Sequence, residues 1–246
     1  MAWRTLSLHF KQTYEGGYRY LDKCGEFMIA ASQKLGYVPG DAKPTGAKLE
    51  IPEKGLNATC DANELALFQE VPGEDHTFFI NASRDTSNLA LSFFKPLSVL
   101  KNGFALKEYW HFPELNDMFA ASRNLGGNYQ EEIGKAIGMV PSFKRLDTTF
   151  ASGSKEFRVY LQPVTFERTV LSKYNANSQA TKTEKDRIDR RNKFADHINK
   201  NFVVSHALVL ELDLTENNPP SEGSLEKHFS ELEEKSEQLK KLLNVK

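Results

Sequence analysis

The sequence predicts an α+β protein built on antiparallel sheet, and three observations predict it. Short runs of alternating polar and apolar residues recur along the chain, separated by Pro and Gly. Between them lie stretches whose apolar residues recur at spacings of three and four, as on a helix packed by one face. The order strand, helix, strand cluster occurs twice, and a helix, a strand and a long amphipathic helix follow it. With 246 residues, 39% hydrophobic and 26% charged, the chain can bury a sizeable core.

Residues 4–10 alternate as a half-buried strand does, and Gly16 and Gly17 interrupt the run. Tyr18, Leu21, Cys24, Met28, Ala31 and Leu35 then fall on one helical face. Gly36 stands at the C-cap and Pro39 prevents continuation. Strand-like runs around 47–51, 56–60, 64–71, 77–82 and 88–94 read as an antiparallel meander. Residues 108–112 form a further strand, and helical periodicity returns at Leu115, Met118, Phe119 and Ser122 and again at Tyr129, Ile133 and Ile137. Strands around 146–151, 156–162 and 165–171 come next.

An offset of 102 residues brings His9 and Phe10 onto His111 and Phe112, Gly25 onto Gly127, and Gly36, Val38 and Pro39 onto Gly138, Val140 and Pro141. A strand, a helix, a Gly cap and a Pro stop at matched distances are what a duplicated β–α–β-meander unit produces. Repeated helix punctuation is the competing reading. The division that follows is a first unit at 1–103, a second at 104–172, a polar linker at 173–187 and a C-terminal α–β–α element at 188–246. In that element a charged helix spans 184–200, a strand 206–214, and a final helix reaches about 243.

The strand at 207–214 followed by the helix at 225–232 resembles the C-terminus of a sporadically distributed bacterial family with no established activity. Gly17, Tyr18, Arg19, Tyr20, Leu21 and Asp22 are similar to an internal segment of that family, here near the N-terminus. The resemblance implies a bacterial cytoplasmic protein and no particular chemistry. An N-terminus without a long apolar core, and the lack of any apolar run of membrane-spanning length, point the same way.

Composition excludes little. Lys+Arg (32) and Asp+Glu (33) nearly cancel, which argues against a protein coating nucleic acid over its whole surface. No phosphate loop, dinucleotide fingerprint, zinc spacing or nucleophile elbow is present, so no cofactor and no metal are expected. Cys24 is expected as a small buried hydrophobe. Asp147 with Glu156 and Arg158 lacks the lysine of a two-metal nuclease pattern and reads as solvated charge.

Three sets of residues carry functional expectations. His9 and His111 hold matched positions, and if they closed on one phosphate they would act as general base and acid of a metal-independent phosphodiesterase or RNA-processing enzyme. Lys182, Lys185, Arg187, Arg190, Arg191 and Lys193 form a local basic segment that could track a nucleic-acid backbone, or a solvated helix with internal pairs. Leu225, Phe229, Leu232, Leu239 and Leu242 form a stripe on the last helix that docks on its own sheet or on a protein partner or second copy. The leading expectation is a non-catalytic binding or assembly protein.

Overall fold

The computed structural model describes residues 3–123, 136–137, 145–166, 171–201, 206–219 and 225–243. Strand β1 (Arg4–Glu15) leads into helix α1 (Tyr20–Leu35), then β2 (Val38–Lys43), β3 (Gly46–Ile51), a 3₁₀ turn at Pro52–Lys54, β4 (Leu56–Cys60) and β5 (Glu64–Glu70). Helix α2 (Thr77–Phe94), β6 (Ser98–Phe112), α3 (Leu115–Arg123), β7 (Leu146–Ser152), β8 (Lys155–Thr165), α4 (Lys182–Asn201), β9 (His206–Asn217) and α5 (Leu225–Leu243) follow. The strands form one nine-stranded sheet in the order β2-β3-β4-β5-β1-β6-β9-β8-β7, and every pairing is antiparallel. The α+β class and the antiparallel sheet are therefore as the sequence predicts.

Alternation along each strand decides which face is covered. Leu8, Phe10 and Tyr14 of β1, Phe104 and Leu106 of β6, and Leu210, Leu212 and Leu214 of β9 are all buried on one side. Helices α1, α2, α3 and α5 pack around this layer. Its centre is a triangle of rings, Phe79 of α2, Phe104 of β6 and Phe229 of α5, with centroids 5.2–6.4 Å apart. Each such ring, fully buried, contributes about 1.5–3 kcal/mol by transfer from water. A polar chain through the layer is satisfied internally: Ser87 donates to Gln12 at 3.0 Å, and Gln12 donates to Asn102 at 3.0 Å.

The structure corrects several expectations. Residues 77–82 and 88–94 are not strands but the two ends of α2. Its buried residues, Phe79, Ser83, Thr86, Ser87, Ala90 and Phe94, keep helical spacing, while adjacent apolar residues such as Phe78 and Phe79 imitate a strand in sequence. Helix α1 ends at Gly36 as expected, with φ 75°. Its buried face is rotated, however, to Tyr20, Cys24, Phe27, Met28 and Ala31, leaving Tyr18 and Leu21 exposed. Strand β6 begins ten residues before the run at 108–112, because its open-face residues Gly103 and Ala105 blunt the alternation. Of the strand expected at 165–171, Thr165 ends β8, Phe166 and Leu171 lie outside any element, and 167–170 fall outside the described residues. The boundary at 103/104 lies inside β6 and that at 187/188 inside α4, so one continuous sheet crosses the expected units. Tyr129, Ile133, Gly127, Gly138, Val140 and Pro141 lie outside the described residues.

Candidate binding cleft on the open sheet face

The residues that alternate with the core layer project from the opposite face. Hydrogen-bond register aligns Asn57, Phe68, His9, Ala105, Asp213 and Arg158 in one row across six adjacent strands. The neighbouring row is Thr59, Ala66, Lys11, Gly103, Thr215 and Glu156. Small side chains at Ala66, Gly103 and Ala105 leave a hollow of about 420 Å³ between taller neighbours. A Cβ on Gly103 would stand 3.1 Å from the Thr215 hydroxyl, so the floor is close-fitted.

The charges around this hollow are individually placed. The His9 ring lies against Phe68 with centroids 4.5 Å apart. Desolvation, reinforced by the Lys107 cation and opposed by Glu211, holds its pKa below the ordinary imidazole value. Asp213 is shifted the other way: desolvation and the Glu211 carboxylate raise it, against Arg158 and Lys107. Lys107 pairs with Glu211 at 2.7 Å and Lys11 with Glu64 at 2.6 Å. Arg158 forks Asp147 through two 2.9 Å bonds, as solvated strand-end charge does.

His9 and His111 share this face but not a site. His9 is registered with Ala105, and His111 lies six residues further along β6, opposite Ala207. At about 3.4 Å per residue that is roughly 20 Å, too far for two rings to close on one phosphate.

A second hollow of about 380 Å³ adjoins the first through their shared residue Asn57. Its floor includes Glu50 and Glu70, and its wall is α4 with Tyr174. Three arginines on α4 grip the sheet end: Arg190 forks Glu53 at 2.8 and 2.7 Å, Arg191 reaches Glu70 at 2.8 Å, and Arg187 reaches Glu50 at 3.4 Å. Phe194 seats on Gly55, where a Cβ would stand 2.6 Å from the ring. Asn192 and Asn199 each exchange two bonds with the chain before the helix, at Tyr174 and Leu171 respectively. Seven helical residues rise about 10.5 Å and three extended residues span about 10 Å, so the two clamps are commensurate.

The basic segment is thereby divided. Arg187, Arg190 and Arg191 turn to the sheet's own carboxylates, whereas Lys182, Lys185 and Lys193 are exposed. The six cations do not act as one surface: the three arginines pair with carboxylates of β3, β5 and the 3₁₀ turn, and Arg190 also lies 3.8 Å from Asp186 of its own helix. The stripe on α5 is also largely spent internally. Phe229 and Leu232 are fully buried, Leu225 and Leu239 pack against the same core, and Leu242 remains exposed.

Both cysteines are buried and free, and burial pushes the Cys60 thiol up to about 12, away from nucleophilic use. Among the described residues no group of three or more His, Cys, Asp or Glu is placed to hold a metal ion. Among them, too, no helix is long and apolar enough to cross a membrane. Sequence reasoning missed Glu50, Asn57, Glu70, Lys107 and Asp213. One signal existed: β6 alternates Phe104 and Leu106 with Gly103 and Ala105, large on one face and small on the other.

Fold and cleft together define a class, an antiparallel-sheet α+β protein with one face helix-covered and the other hollowed. No protein-family model and no curated protein matches the chain.

Proposed function

We propose that this chain is a non-catalytic binding protein of the bacterial cytoplasm whose ligand is a small polar molecule held on the open sheet face. The observation that carries the reading is the pair of hollows joined at Asn57, one of them floored by Ala66, Gly103 and Ala105 and both bordered by charges already fixed in pairs. Each hollow lies within the range of about 300–1,000 Å³ typical of small-molecule sites. The element order on either side of the central β1/β6 pair supports the accompanying reading of a duplicated unit: strand, helix, further strands and closing helix, with α4 inserted in the second half. The test is to purify the full chain from its host, release bound metabolites by heat and identify them by mass spectrometry. A compound released stoichiometrically by the native chain and absent from Asn57→Trp is the expected result. An empty native chain at equal yield would overturn the reading.

A second reading, acid–base chemistry, is favoured by one observation. His9 and Asp213 flank Ala105 in the same row of the hollow, where desolvation favours the neutral form of each, a base beside a carboxyl group. It predicts turnover of an activated phosphodiester that His9→Ala and Asp213→Asn each abolish; no turnover by the native chain sinks it.

A further inference from the structure

Of the three pairs that α4 makes with the sheet end, the longest lines the cavity. Arg187 and Arg190 sit three residues apart on one helix. Arg190 makes a two-bond fork with Glu53, whereas Arg187 meets Glu50 through a single 3.4 Å contact. Arg191 gives one nitrogen to Glu70, and its Nη1 is buried with no acceptor among the described residues. A buried guanidinium N–H without a partner costs stability and calls for an acceptor.

Charge selects the ligand. The hollow of about 380 Å³ is lined by two guanidiniums and two carboxylates, with Tyr174 and Asn57 beside them. A simple anion would meet Glu50 and Glu70, and a simple cation would meet Arg187 and Arg191. A molecule carrying both charges faces neither conflict. Its carboxylate would accept from Arg187 and, with a small shift of the side chain, from Arg191 Nη1; its ammonium would donate to Glu50. One long intramolecular pair is then replaced by charge-assisted contacts, and no charge is left buried alone.

We propose that this cavity binds a small zwitterion, with the carboxylate and ammonium of a free α-amino acid. The inference deepens the binding reading and rests on it. The ligand's side chain would leave past Asn57 toward Phe68 and His9, where the adjoining hollow has room.

The experiment is calorimetric titration of the full chain with each of the common amino acids, followed by the N-acetyl and methyl-ester forms of any that bind. At least one amino acid is expected to bind, and blocking either end is expected to weaken it about tenfold or more, as losing a charge-assisted contact does. Glu50→Gln and Arg187→Gln should each weaken it similarly. Lys193→Gln removes an exposed cation of the same helix that does not line this hollow, and should leave affinity unchanged. If Arg187→Gln fails to fold, Glu50→Gln and the blocked ligands decide. Binding by no amino acid, or N-acetyl forms binding as tightly as the parents, would overturn the inference. A co-purified ligand lacking the two charges would overturn it too, while leaving the binding reading intact.

Discussion

His9 on β1 and Asp213 on β9 are registered with the same residue, Ala105 of β6, one from each side. Their backbones stand two strand spacings apart, about 10 Å, with only a methyl group between them. Both are desolvated by the hollow, and because one is a base and the other an acid, the same desolvation moves their pKa values in opposite directions.

The pH dependence of stability follows. The folded Asp213 carboxyl resists ionisation more than the unfolded one, so its penalty is present above the folded pKa, fades as pH falls through it, and is gone below about 4. Asp213→Asn should therefore melt higher than the native chain at pH 7–8, with the difference closing near pH 4. The unfolded state binds the His9 proton more readily, so stability should rise with pH through the interval just below about 6.5. His9→Gln should flatten that rise in melting curves taken across the interval.

The wall of the cleft should be separable from its floor. Asn192→Ala removes both bonds to Tyr174, and each net bond is worth about 1 kcal/mol. Limited proteolysis should then cut within 171–181 faster, with the sheet's exchange protection unchanged. Gly55→Ala should act more strongly, since φ is 61° and the added Cβ would stand 2.6 Å from the Phe194 ring. Equal cutting in native and variant chains would show that α4 is held by other contacts.

Legibility in the sequence tracked how locally each feature is determined. Gly36 closing α1 depends on one residue's backbone freedom, and it was readable. The face of α1 was misread because Tyr18 and Leu21 are as apolar as Tyr20 and Phe27, and only the neighbouring α2, through Phe93 and Phe94, decides which are covered. The division of the basic segment was unreadable for the same reason. Glu50, Glu53 and Glu70 lie more than 100 residues from the arginines they hold, and no spacing announces them. The cleft itself is a relation among strands, which a single chain order does not display.

The stripe on α5 should prove unequal under truncation. Phe229→Ala opens a cavity among Phe79, Phe104 and His76 and should cost about 3–5 kcal/mol in urea denaturation. Leu242→Ala, at an 80% exposed position, should change stability by no more than about 0.5 kcal/mol. A comparable loss at Leu242 would mean that its side chain is covered in solution by something outside the described fold.

The C-terminal half of α5 is fixed by a buried charge rather than by apolar fit alone. Glu108 of β6 projects into the core layer at 5% exposure, accepts a hydrogen bond from Ser236, and pairs with Lys240 at 2.9 Å. Lys240→Met should cost about 3–5 kcal/mol, because it strands the Glu108 carboxylate away from water. Glu108→Leu combined with Lys240→Met removes both charges and should recover most of that loss, giving a large coupling in a double-mutant cycle. The pair would then act chiefly to set the position of α5 along β6, since an apolar contact tolerates sliding and a paired charge does not. If the double variant instead loses as much as the sum of the two single variants, the two side chains are not energetically coupled and that positional role falls.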